Sequence, residues 1–182
     1  MKSSFLTTLG IAVLICGFAA MFYTFIVQLG VRSTTSNLIT LKLEILAGSS
    51  GENVYGRHPT PTTPAVPAQG VGGENARIKI AKTEEKYNVH FLIRDEDAEQ
   101  LANYFKDLTV YIAIYPSGIS GASPVAEIKL KIVEGGVPNT KIDEHVTLGE
   151  EYDWDCVITV MYAAYDTVGY GKIPIYIYLE EA

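Results

Sequence analysis

One short segment, residues 37–46, constrains the fold of this chain more than any other. Its sequence is NLITLKLEIL, in which apolar and polar side chains alternate as they do in a strand with one buried face. A long apolar segment precedes it, and a Gly/Ser/Pro-rich stretch, residues 48–75, follows it. An isolated strand satisfies neither its backbone hydrogen-bonding groups nor its apolar face, so this one must join a sheet in its own chain or in a neighbouring chain. The side chains that we expect on its buried face are Ile39, Leu41, Leu43 and Ile45.

The apolar segment, residues 5–31, contains no charged residue and is long enough to cross a bilayer as a helix. We predict an apolar helix within residues 1–31 that is either a signal peptide or a membrane anchor. A signal peptide needs an apolar region of only about 7–15 residues, and Gly17 and Ala19 are small residues at a possible cleavage site. Both alternatives export the rest of the chain to the cell surface or beyond. The membrane is then a partner only through this segment, if it is not cleaved.

The remainder of the chain has the pattern of an all-β domain. Alternating apolar residues between Gly- and Pro-containing turns predict an antiparallel β-sandwich or jelly roll over residues 76–182. Residues 32–75 then hold the isolated strand and a linker. The predicted strands cover residues 77–82, 87–93, 108–115, 125–133, 154–164 and 172–180, with a shorter one near 144–148.

One short helix interrupts the predicted strands. Asp95 has the side chain of a helix N-cap, and the acidic residues after it complement the positive end of the helix dipole. Leu101, Phe105 and Leu108 recur at helical spacing, so we expect them to form its buried stripe.

The net charge and the sequence motifs argue against several classes of function. The formal net charge is −7, and the flanks of the apolar segment contribute only positive residues, so the exported part is more acidic still. An acidic surface argues against nucleic acid as a partner and suits solubility or a divalent cation such as calcium. The three histidines, His58, His90 and His145, do not have metal-binding spacing, and there is no nucleophile elbow or phosphate loop. We therefore expect no enzymatic activity.

Two stretches resemble a known family. The run from Asp97 reads Asp-Ala-Glu-Gln-Leu-Ala-Asn-Tyr-Phe-Lys-Asp-Leu-Thr-Val-Tyr-Ile-Ala-Ile, and the linker contains Thr63-Pro-Ala-Val-Pro-Ala-Gln-Gly. Both resemble the corresponding segments of the cannula proteins, which are subunits of extracellular tubules of hyperthermophilic archaea. The resemblance covers roughly residues 60–115.

The resemblance implies an exported β-sandwich that polymerises with itself or with related subunits. The family assembles by donor-strand complementation and uses calcium, and residues 39–45 match the donor strand by position and pattern. No calcium ligand can be carried over from the family residue by residue. The acidic residues that remain as candidate calcium ligands are Asp95, Glu96, Asp97, Asp143, Glu144, Glu150, Asp153 and Asp155.

Two alternatives stay open beside the tubule subunit. The first is a membrane-anchored binding module at the cell surface, in which residues 37–46 pair within their own sandwich. The second is a pilin of the camelysin type, which is also a β-sandwich that uses donor strands.

Overall fold

The computed structural model describes residues 24–27, 37–55, 77–80, 82, 85–119, 121–149, 151–166 and 169–182. These residues form two β-sheets and one short helix. In chain order the elements are β1 (Thr24–Val27), β2 (Asn37–Ile45), β3 (Ser50–Tyr55), β4 (Arg77–Ile80), β5 (Tyr87–Ile93), α1 (Asp95–Ala102), β6 (Phe105–Pro116), β7 (Ala126–Glu134), β8 (Val137–Pro138), β9 (Ile142–Leu148), β10 (Trp154–Ala164) and β11 (Gly169–Glu181).

The larger sheet has the strand order β1-β4-β10-β6-β7-β8, and β3 also pairs with β10. The smaller sheet has the order β2-β11-β5-β9. The pairing is antiparallel throughout, except that β1 lies parallel to β4. The prediction of an all-β fold with one short helix is confirmed.

The alternating residues of both sheets form one hydrophobic cluster. In β7, for example, Leu130 and Ile132 are fully buried while Lys129 and Lys131 are exposed, as a strand with one solvent face requires. Phe91 of β5 and Ile175 of β11 contribute to the same cluster from the smaller sheet. The core therefore depends on both sheets at once.

The predicted strand positions agree with the structure to within a few residues. β5 and β10 have the predicted bounds, whereas β4 ends at Ile80, two residues early. β11 begins at Gly169 and β6 at Phe105, each three residues before the predicted start.

The helix differs from its prediction at both ends. Arg94, not Asp95, occupies the N-cap position, and no side chain caps the helix there. Asp95 lies in the first turn, where its Oδ1 accepts a hydrogen bond from the Lys141 amide at 2.8 Å. Phe105 and Leu108 are buried as expected, but they belong to β6 because the helix ends at Ala102. The β-branched and aromatic residues that follow Leu108 favour a strand, and the helical spacing across the junction is coincidental.

Three strands lie in regions that were predicted to contain none: the two-residue β8, and β1 and β3 nearer the N-terminus. β1 falls inside the segment predicted as an apolar helix, and the rest of residues 1–31 lies outside the described residues. β3 falls inside the predicted linker, so the segment without an assigned strand shortens to residues 56–76, which also lie outside the described part. Among the described residues no helix is both long and apolar enough to cross a membrane.

β3 and β4 lie end to end along the same edge of β10. Tyr55, the last residue of β3, is opposite Ile158, and Ile78 of β4 is opposite Cys156. Continuing this register by one residue puts Arg77 level with Val157, the position next to that of Tyr55. The chain thus leaves the edge of β10 after Tyr55 and is paired with the same edge again in β4, so β3 and β4 are two halves of one interrupted strand.

Deleting residues 56–76 should give a folded protein in which β3 and β4 form one continuous strand. Closing a loop of about 21 residues costs on the order of 2 kcal/mol in chain entropy, and the deletion removes that cost. We expect the monomeric variant to unfold at a temperature no lower than the parent, as measured by circular dichroism. Replacing residues 56–76 by a Gly/Ser segment of equal length is the control and should leave the melting temperature nearly unchanged. An unfolded deletion variant would contradict the end-to-end arrangement.

Candidate functional site

The candidate site is the position of β2 at the edge of the smaller sheet. β2 runs antiparallel to β11, from Asn37 opposite Ile177 to Ile45 opposite Gly169. Within the described residues β11 is its one neighbour, because β2 is the terminal strand of the sheet order. As an edge strand, β2 is held in this sheet by a single backbone ladder.

All four predicted side chains of β2 reach the core. Their exposed fractions are 5% for Ile39, 3% for Leu41, 0% for Leu43 and 1% for Ile45. The structure places them in their own chain's sheet, which is one of the two arrangements that the sequence left open.

A glycine on β11 fits this strand closely. A Cβ at Gly171 would lie 3.2 Å from Ile45 Cδ1 and 3.1 Å from Phe105 Cζ, both nearer than most side-chain contacts. The absence of a side chain at Gly171 therefore makes room for the end of β2 beside β6.

A tight corner joins β2 to β3 and carries the chain from the smaller sheet to the larger one. The Ser49 amide donates to the Leu46 carbonyl at 3.0 Å, and Gly48 between them has φ of 62°, a conformation that favours glycine. The Tyr55 hydroxyl then donates back to the Lys42 carbonyl at 2.6 Å. Burial raises the pKa of Tyr55 above its usual value. β2 and β3 are thus tied together at the corner and across the sheets.

The corner is also fixed to β10. The Ala164 amide donates to the Ser49 carbonyl at 2.8 Å, and the Gly48 amide donates to the Tyr165 carbonyl at 3.0 Å. These bonds extend the β3–β10 ladder to the place where the chain crosses between the sheets.

The three predicted calcium ligands in the first turn of α1 contact cationic or amide groups. The Arg94 guanidinium contacts the Glu96 and Asp97 carboxylates, with nitrogen–oxygen distances of 2.9 Å for each pair. The hydrogen bond to Asp97 raises the pKa of Arg94 above its usual value. Asp95 accepts the Lys141 amide, as described above. The three predicted ligands are close in sequence, but they are oriented by these protein partners.

The other predicted calcium ligands are dispersed. Asp143 contacts His90, Glu144 is exposed, and Asp153 Oδ1 accepts the Lys82 amide at 3.0 Å. Asp155 is buried, with 2% of its surface exposed, and Glu150 lies outside the described residues. Across the part of the chain that the structure describes, no three His, Cys, Asp or Glu side chains are arranged to hold a metal ion. Calcium binding stays a prediction.

On the outer face of the smaller sheet, the structure brings together a cluster of polar and aromatic side chains that was not predicted from the sequence. His90 Nδ1 lies 2.9 Å from Asp143 Oδ1, and His90 Nε2 lies 3.0 Å from Glu180 Oε2. The rings of Tyr178 and His145 stack against the imidazole, with centroid distances of 4.4 and 4.9 Å. The His90 cluster, formed by these five residues, links β9, β5 and β11.

Tyr178 completes the cluster through its hydroxyl, which donates to Asp143 Oδ2 at 2.6 Å. Burial, followed by the hydrogen bond to Asp143 and the nearby carboxylates, raises the pKa of Tyr178 to about 12. β11, on which β2 lies, is therefore fixed to β5 by side chains as well as by the backbone ladder.

The alternation of β5 already indicates that His90 faces outward. Its contacts could not be predicted, because they depend on the registers of β9 and β11 against β5, and no local pattern specifies those registers.

Cys156 lacks the chemistry of a nucleophile. Its side chain is buried on the inner face of β10, and burial, reinforced by the nearby Asp155 carboxylate, raises the pKa of the thiol to about 12. Because the nucleophile is the thiolate, a buried thiol that stays protonated at neutral pH acts as a small core residue.

Leu43→Ala should destabilise the protein far more than Leu46→Ala, which is a matched substitution one residue beyond β2. Leu43 is fully buried, whereas 57% of Leu46 is exposed. We expect the free energy of unfolding to fall by about 2–4 kcal/mol for Leu43→Ala and by less than about 0.5 kcal/mol for Leu46→Ala. Equal effects in chemical denaturation would show that β2 does not pack in a core.

Tyr178→Phe should change how stability depends on pH at the alkaline end. Because the pKa of Tyr178 is raised from 10.0 to about 12 on folding, its neutral form stabilises the fold. That contribution is complete below about pH 10 and is lost as the pH rises through about 12. The stability difference between the parent and Tyr178→Phe should therefore shrink over this range in denaturation curves. Tyr104→Phe, at an exposed site, is the control, and a constant difference for Tyr178→Phe would contradict the proposed contacts.

Comparison of the chain with protein-family models and with curated proteins gives no match. The functional assignment therefore depends on the geometry of the strands, together with the resemblance described from the sequence.

Proposed function

We propose that this chain is a structural subunit of an extracellular tubule. Its two sheets form a jelly-roll type of β-sandwich, and the subunits join by donor-strand complementation through β2. In the polymer, the strand that lies on β11 comes from the neighbouring subunit instead of the same chain.

The position and burial of β2 support this proposal. A fully buried Leu or Ile side chain stabilises a fold by about 1.5–3 kcal/mol, so the four side chains of β2 together represent a large share of a typical domain's stability. A subunit that lost β2 would expose the matching apolar surface and the unpaired edge of β11. A β2 strand from a neighbour restores the same contacts in the same register.

The connectivity favours an open polymer. A subunit that donates β2 at one end and accepts another β2 beside β11 makes a heterologous, head-to-tail contact. Such contacts need not close, and they generate filaments or tubes. Export through the apolar N-terminal segment would deliver the subunits to the outside of the cell, where they assemble.

Calcium would assist this assembly by reducing repulsion between subunits. Each chain carries a formal net charge of −7, so bringing copies together is electrostatically unfavourable unless cations intervene. The side chains of Glu96 and Glu180 are 64% and 65% exposed, so a calcium ion could bridge such carboxylates from two copies.

A second candidate function has one observation in its favour. β2 lies in the sheet of its own chain, as it would in a membrane-anchored, monomeric binding module at the cell surface. A camelysin-type pilin would share the donor strand with the tubule subunit and would differ from it in the shape of the polymer.

Deletion of residues 36–48 should abolish polymerisation, because it removes β2 and leaves the edge of β11 open. A synthetic peptide of residues 37–46 should bind the deleted chain and stabilise it without restoring polymers. Electron microscopy and sedimentation would measure both effects. Polymers that persist after the deletion would contradict donor-strand assembly.

Calcium should shift the parent chain from monomers to polymers, and a chelator should reverse the shift. Sedimentation of the parent chain with and without calcium would measure this effect. Magnesium at equal concentration is the control. A chain that stays monomeric with and without calcium would support the monomeric binding module.

A further inference from the structure

We infer that the unit exchanged between copies is residues 37–55, comprising β2 and β3 together, and that residues 56–76 are its hinge. This inference depends on the proposed donor-strand function. The partner is a second copy of this chain, which must offer two open sheet edges instead of one.

β2 is unable to reach a neighbour while β3 stays in its own chain. The connection between these strands is the corner from Leu46 to Ser49, and four residues span at most about 14 Å. A domain of this size is about 35 Å across, so the corresponding strand position in an adjacent subunit lies beyond that reach. If β2 leaves its sheet for another subunit, β3 must leave with it.

The interrupted edge strand supplies the hinge. Tyr55 and Arg77 occupy consecutive positions beside β10, so a chain that folds back on itself needs no connecting residues between them. The segment nevertheless has about 21 residues, which could span about 70 Å when extended and about 25 Å on average as a flexible coil. Its prolines, Pro59, Pro61, Pro64 and Pro67, favour extended conformations. A segment of this length and composition can connect β3 in one subunit to β4 in another.

The contacts of β3 agree with a unit that moves as a whole. The hydrogen bond from Tyr55 to the Lys42 carbonyl and the turn from Leu46 to Ser49 lie inside residues 37–55. Among the described residues, β2 pairs with β11 alone and β3 pairs with β10 alone, so each is an edge strand. Removing the unit breaks these two ladders, leaves the ladder between β11 and β5 at Tyr176–Glu181 intact, and opens residues 169–175 of β11 to an incoming β2.

The acceptor surface therefore extends over both sheets. One part is the edge of β11 that receives β2, and the other is the part of β10 from Ile158 to Ala163 that receives β3. The rest of that edge of β10 is occupied by β4 of the acceptor's own chain. The C-terminal end of an incoming β3 would thus meet the N-terminal end of the resident β4, which fixes how far the donated unit can slide.

Two cysteine pairs, introduced separately, test whether the two strands of each ladder come from one chain or from two. Glu52→Cys with Met161→Cys joins β3 to β10 at an exposed register pair, and Lys42→Cys with Lys172→Cys does the same for β2 and β11. Both variants use the full chain with Cys16→Ser, and Cys156 is retained because it is buried. After assembly and mild oxidation, the chains are separated in denaturant without reductant. We expect both pairs to give ladders of covalently linked chains.

The other outcomes distinguish the two proposals. Linked chains from the Lys42/Lys172 pair with only intrachain bonds from the Glu52/Met161 pair would overturn the two-strand unit and leave donor-strand assembly intact. Intrachain bonds from both pairs would overturn the donor-strand function and the two-strand unit with it.

Deletion of residues 56–76 provides a second test without introduced cysteines. Because this variant has no hinge, it should fold as a monomer and lose polymer formation by at least tenfold in sedimentation. The Gly/Ser replacement of equal length is the matched control and should polymerise. A deletion variant that polymerises as well as the control would overturn the assignment of residues 56–76 as the hinge.

Discussion

The burial of one face of β2 is the interaction on which the rest of the structure depends. Ile39, Leu41, Leu43 and Ile45 complete the core between the two sheets, yet the strand that carries them is held by a single backbone ladder. The burial is strong because four large apolar side chains leave water together. The attachment is simple because an edge strand has one neighbour. In the proposed exchange of this strand between copies, β11 keeps its ladder to β5 at Tyr176–Glu181.

The corner and the interrupted strand decide how such an exchange can proceed. The Tyr55–Lys42 hydrogen bond and the tight turn at Gly48 couple β2 to β3, so the two strands leave or stay together. In the proposed exchange, the donated unit separates from the rest of its chain between Tyr55 and Arg77. On the opposite side of β11, the ladder to β5 and the His90 cluster hold the acceptor sheet in place. Under the proposed assembly, the chain consists of an acceptor and a donated unit, residues 37–55.

Much of this arrangement could be predicted from local patterns. The alternation in residues 37–46, 87–93 and 154–164 identified β2, β5 and β10, because period-2 burial is encoded residue by residue. β3 was missed because its sequence, SGENVY, lies in a Gly-rich region and presents a single buried side chain, that of Tyr55. The helix was predicted too long because Phe105 and Leu108 happen to fit the helical spacing across a turn. The His90 contacts and the alignment of β3 with β4 depend on the register between distant strands, and no local pattern contains that information.

The most direct measurement is a reconstruction of the assembled polymer by electron cryomicroscopy, with the backbone traced from Tyr55 to Arg77. We predict that residues 56–76 cross from one subunit to the next, so that each sandwich contains β2 and β3 of one chain and β4 to β11 of another. A trace in which residues 56–76 return to the same sandwich, with β3 and β4 of one chain aligned on its own β10, would contradict the exchange of this unit.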